Sequence, residues 1–84
     1  FEKSLFAART KNIYQLLKNL RKWEELYSVF PFGQYLHLTL KNETNAHDKI
    51  KNYAKRWGHD DIEIKPISPS IEDCFMHFML KESN

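Results

Sequence analysis

The sequence predicts a small α+β domain whose elements run strand, helix, strand, strand, helix, strand, followed by one further helix at the C-terminal end. Three observations predict it. Tyr35 to Leu40 (YLHLTL) alternates with period two, the pattern of a half-buried strand. Ile13, Leu16, Leu17 and Leu20 fall on one helical face, and so do Ala46, Ile50, Tyr53, Ala54 and Trp57. Pro, Gly, Asn and Ser lie between these periodic runs and mark the turns. The 84 residues fill one domain, 1–84, around a single core. With 42% hydrophobic and 14% aromatic residues they can build one, since each buried Leu or Phe contributes about 1.5–3 kcal/mol.

Taken in order, Ser4 to Arg9 (SLFAAR) reads as the first strand, with Phe6 and Ala8 on one side and Leu5 and Ala7 on the other. Thr10 is placed to cap a helix from about Lys11 to Arg21. Leu26 to Phe30 and Tyr35 to Leu40 form a hairpin around Pro31-Phe32-Gly33-Gln34, which leaves Phe32 as an aromatic side chain on the turn. On the second of these strands Leu36, Leu38 and Leu40 face one way; Tyr35, His37 and Thr39 face the other. Lys41 to Asn45 is a polar connection into the second helix, which Gly58 is expected to stop in the left-handed region. Ile62 to Lys65 alternates as a strand, and Pro66 makes it an edge or terminal one. Ser70 then caps the last helix, with Asp73 three residues on as the acid of a capping box. Its stripe is Ile71, Cys74, Phe75, Phe78 and Met79. The order without this last helix is the split βαβ, or ferredoxin-like, arrangement: a four-stranded antiparallel sheet with both helices on one face.

Composition and motifs exclude several functions. The formal charge of +2 is sparse for a nucleic-acid binder. Tyr35 and His37 could stack bases on an open sheet face, but the Gly- and aromatic-rich signature of the RNA-binding sheets is missing, and packing beneath the last helix is the better reading. The single Cys74 forms no intrachain disulfide and fits a reducing, cytosolic setting. Cys74 also lies on an apolar stripe, where a thiol is a small hydrophobe rather than a nucleophile. His37, His47, His59 and His77 lack the spacing of helical metal ligands. Two separated glycines build no phosphate loop, and Glu24-Glu25 and Asp60-Asp61 read as surface charge. No catalytic, cofactor-binding or metal-binding residue is assigned. Lys11, Lys18, Arg21 and Lys22, with Lys49, Lys51, Lys55 and Arg56, give the two helices basic outer faces. A solvated face is the ordinary explanation; the same charges would attract an acidic partner or anionic head groups weakly. No run reaches the ~18 apolar residues of a membrane span.

The segment Ile64 to Phe75, IKPISPSIEDCF, resembles the tail of ATP-binding cassette (ABC) exporter ATPases, in which a strand leads into Pro-Ser-Leu-Glu-Asp-Val-Phe and a closing helix. Pro69, Ser70, Glu72, Asp73 and Phe75 match; Ile71 and Cys74 replace Leu and Val. Phe32 to Leu38, FGQYLHL, is similar to the Gly-x-x-Leu-His-Val hairpin of the same family. The resemblance implies a C-terminal accessory domain following the nucleotide-binding domain of an exporter of drugs or related compounds. ATP and Mg²⁺ would be held by that other domain, and none in this piece. Phe1, with no initiator Met, fits a piece of a longer chain. The implied partners are the nucleotide-binding domain of the same chain, its dimer mate and, through the parent protein, a membrane permease. The implied location is cytoplasmic, at the inner face of the membrane. Phe32, Tyr35, His37, Phe75 and Phe78 are the expected contact surface, with Ser70, Asp73 and Thr10 as structural caps. The alternative is a free-standing ferredoxin-like module that binds a ligand or RNA.

Overall fold

The structure, a computed structural model, describes residues 4–68 together with Asp73, Phe78 and Met79. Its elements are β1 (Leu5–Arg9), α1 (Ile13–Arg21), β2 (Leu26–Phe32), β3 (Tyr35–Leu40), α2 (Ala46–Arg56) and β4 (Glu63–Ile67). The four strands form one sheet in the order β2-β3-β1-β4, and every neighbouring pair is antiparallel. β1 and β2 therefore run parallel to each other with β3 inserted between them, and β3 and β4 do the same around β1. Each helix connects two such non-adjacent parallel strands. Asp73, Phe78 and Met79 are each helical; a helix capped by Ser70, and the stripe positions Ile71, Cys74 and Phe75, fall outside the described residues.

The register explains which face is buried by the helices. Phe6 opposes Leu38, Ala8 opposes both Leu36 and Ile64, and Val29 opposes Leu38, so these side chains share one face. They pack with Leu16 and Leu20 of α1 and with Ala46, Ile50, Tyr53 and Ala54 of α2 in one apolar cluster. The positions that predicted α1 and α2 join this cluster or pack against it, except Trp57, which follows α2 and is exposed.

A polar tie inside the helical layer was not visible in those spacings. Asn19 is fully buried on α1; its Oδ1 lies 2.8 Å from His59 Nε2, and its carbonyl accepts the Tyr53 hydroxyl at 2.5 Å. Trp23 stacks on Tyr53 with ring centres 4.3 Å apart, and Trp57 meets Tyr53 edge-on. These contacts join the C-terminal end of α1 to α2 and to the loop after it.

Three local expectations change. α1 begins at Ile13 rather than Lys11, and its cap is Asn12, whose Oδ1 accepts the Gln15 amide at 3.3 Å. Thr10 is not the cap: its hydroxyl donates to Asp61 Oδ1 at 2.5 Å, while the Lys11 amide donates to Oδ2 of the same carboxylate at 2.7 Å. Asp61, read as surface charge, thus ties the end of β1 to the entry of β4. Finally, β2 runs through Pro31 to Phe32. It is an edge strand, where a residue without an amide hydrogen is tolerated. The hairpin loop shrinks to Gly33-Gln34, with Gly33 at φ 62° in the first central position, as a II′ turn requires. β4 is the other edge, as Pro66 predicted, and Gly58 follows α2 at φ 92°.

Candidate functional site

The second face of the sheet, turned away from α1 and α2, collects the residues that the sequence singled out. Phe30 opposes His37, Phe32 opposes Tyr35, and Ala7 opposes both His37 and Lys65. Leu5, Ala7, Ser28 and Thr39 on this face are buried, so it is covered rather than open to water. Asp73 lies on it, 1% exposed, with one carboxylate oxygen 2.8 Å from His37 Nδ1.

His37 is the centre of the arrangement. Its ring stacks on Phe32, with centres 4.4 Å apart and planes 16° from parallel. Phe32 reaches it along the diagonal from the neighbouring strand, a distance that aromatic side chains span. Nδ1 donates its hydrogen to Asp73. The Tyr35 ring carries two cations, Lys65 Nζ at 4.9 Å from its centre and Arg9 Cζ at 5.9 Å. Phe32, Tyr35 and His37 are therefore partly buried and engaged with one another, with Asp73 and with these cations. Phe32 is the last residue of β2 and not a free side chain on the turn. Of the remaining expected contact residues, Phe78 is 60% exposed, beside Met79 at 53%; Phe75 and the cap Ser70 lie outside the described residues.

A histidine held by a buried carboxylate is also half of a general-base device, but that chemistry needs a nucleophile at the other ring nitrogen. Among the described residues no hydroxyl or thiol bonds to it. Nor do three His, Cys, Asp or Glu side chains come together in metal-binding geometry among them. What the geometry does chemically is fasten: a part-buried, charge-assisted hydrogen bond ties Asp73 to the centre of the sheet.

A second polar group lies at the end of β1, where a cleft of about 500 Å³ opens between Arg9, Thr10, Lys11, Gly33, Asp61 and Glu63. The Thr10 hydroxyl, and then the Lys11 amide, hold the Asp61 carboxyl below the usual carboxylate range. Its basic and acidic walls balance, and Asp61 is already occupied by its two donors. The cleft presents no single sign of charge to a ligand.

Among the described residues no helix is long and apolar enough to cross a membrane. Comparison with known proteins found no match to this chain among family models, curated proteins or solved structures.

Proposed function

We propose that this chain is a non-catalytic accessory domain of an ABC transporter ATP-binding subunit, acting by contact with the ATPase core, its dimer mate or a regulator. One observation carries the reading. The resemblance rests on two separate patches, Phe32 to Leu38 and Ile64 to Phe75, and Asp73 of the second bonds His37 of the first at 2.8 Å across 36 residues of sequence. Two strings that agreed with a family by accident would have no reason to meet in a part-buried hydrogen bond. The element and strand order also support a ferredoxin-like domain, in keeping with the element order of the resemblance. ATP and Mg²⁺ would be bound by the preceding domain of the parent chain, which would couple their hydrolysis to export through a permease.

The RNA-module alternative has less support, because the two rings it needs are occupied: His37 lies against Phe32 and Asp73, and Tyr35 beneath Lys65 and Arg9. The gene itself tests the proposal. Reading upstream of the codon for Phe1, in the same frame, should reveal a Gly-x-x-x-x-Gly-Lys-Ser/Thr loop. An upstream frame that closes without one ends the transporter reading. Titration with single-stranded RNA, followed through Trp23 and Trp57 fluorescence, addresses the alternative; salt-sensitive micromolar binding would favour it.

A further inference from the structure

The helical layer carries a charge pattern that the contact role above does not use. Residues 11–22 and 46–57 contain eight of the chain's thirteen Lys and Arg residues and a single acid, Asp48. The rest of the chain is net acidic, so the small formal charge of +2 hides a strong separation of sign. Lys18 and Arg21 stand in the last turn of α1, with Lys22 directly after it, and Lys55 and Arg56 in the last turn of α2. All five are exposed. Among the described residues none of the five forms an ion pair; the Glu25 carboxylate pairs instead with Lys49 at 3.3 Å.

The two groups belong to one patch. Asn19 and Trp23 contact Tyr53, and Lys22 Nζ sits 5.6 Å from the centre of the Trp57 ring. Trp57 itself is 46% exposed and Tyr14 on α1 is 78% exposed. Cations in a last helical turn do complement the helix dipole. That effect explains one basic residue at each helix end; it does not explain five that lack an ion-pair partner among the described residues, with exposed rings among them.

We infer that this two-helix face docks on an anionic lipid surface. Lys and Arg at the level of acidic head groups, with Trp and Tyr rings at the same interface, are the chemistry of peripheral membrane attachment. Nucleic acid is the less fitting partner, because the cations are exposed on two helices beside Trp and Tyr rings while the chain as a whole carries a formal charge of only +2. The inference stands on the distribution of charge and does not depend on the transporter reading; a vesicle assay with this chain alone answers it whatever the upstream gene encodes.

The test is co-sedimentation with vesicles of phosphatidylcholine alone and with vesicles of phosphatidylcholine mixed equally with phosphatidylglycerol, followed in parallel by Trp fluorescence. Binding is expected only to the mixed vesicles, falling as salt is raised. The paired variants Lys18→Gln/Arg21→Gln and Lys55→Gln/Arg56→Gln should each weaken it, by roughly fivefold per charge removed. Lys41→Gln/Lys65→Gln removes two charges elsewhere and should leave it nearly unchanged. Equal binding to neutral vesicles, no binding to either, or the same loss from the control pair would each overturn the inference. So would tighter binding to duplex DNA or single-stranded RNA at the same salt. Because the substituted side chains are exposed, unchanged circular dichroism is expected, and Trp57→Ala gives a second readout by weakening binding without altering its salt slope.

Discussion

The two faces of the sheet are buried by different means. The helix side is filled by Leu16, Leu20, Leu36, Leu38, Leu40 and Ile50, all essentially inaccessible to water, and apart from the Asn19 tie between the helices its packing is apolar. The opposite side buries Thr39, Ser28 and Asp73 beside Leu5 and Ala7, with Phe32 and His37 stacked across it. Burial on the first face is non-directional, and many side chains of similar volume would satisfy it. On the second face the directional bond from His37 to Asp73 ties a distant part of the chain to the sheet. The comparison teaches that stability and specificity of docking are assigned to separate faces.

The largest expected effect tests the first half of that statement. Leu38 is fully buried between Phe6 and Val29 in the register, so Leu38→Ala should destabilise by about 2–5 kcal/mol in urea unfolding. In a domain of ordinary stability this is a large fraction of the total. A loss below 1 kcal/mol would mean that the helix face is not the main core.

The next effect tests the second half. Asp73→Ala should cost about 1.5–3 kcal/mol, the range for a hydrogen bond to a charged group whose partner is left buried. His37→Ala tests the same bond from the other side, and the double variant should cost clearly less than the sum of the two. Additive losses would show that the two residues are stabilised independently, and the fastening role would be lost.

How much of this was legible in the sequence differs in the same way. The leucines of β3 announce their face through period two, and the helices announce theirs through i, i+3, i+4 spacing; both signals are local. That His37 points away from the leucines was also legible. What meets it was not, because Asp73 lies 36 residues further on and a strand pattern encodes orientation without encoding a partner. Asn19 had a signal that residue type obscured: it shares the stripe of Leu16, Leu20 and Trp23, but Asn ranks as a surface residue until His59 and Tyr53 are brought against it. Thr10 and Asn12 are both competent caps, and the choice between them is made by Asp61, which engages Thr10 from the far end of the chain.

A smaller effect of opposite sign sharpens the contrast between the faces. Thr39 Oγ1 is buried with no hydrogen-bond partner among the described residues. Thr39→Val keeps the shape and removes an unsatisfied hydroxyl, and should stabilise by about 1 kcal/mol. A loss of that size instead would assign the hydroxyl a bond and make the second face more polar in its demands than the geometry indicates.

The smallest effect belongs to the perimeter, where polar ties are exposed to solvent. The Asp61 carboxyl is held below its ordinary pKa by the Thr10 hydroxyl and the Lys11 amide, so the folded state favours the ionised form more than the unfolded chain does. The contribution is then fully present above the unfolded-chain value of 3.8 and is lost as pH falls through the lower folded value. Asp61→Asn should lower the melting temperature slightly at about pH 6, and the gap between variant and parent should narrow as the pH is lowered below 3.8. Because both donors are hydrogens on neutral groups, raising salt should change the gap little, in contrast to the charged face of the helices. A gap that widened on acidification would reverse the sign of the linkage and show that the carboxyl is held protonated by its neighbours.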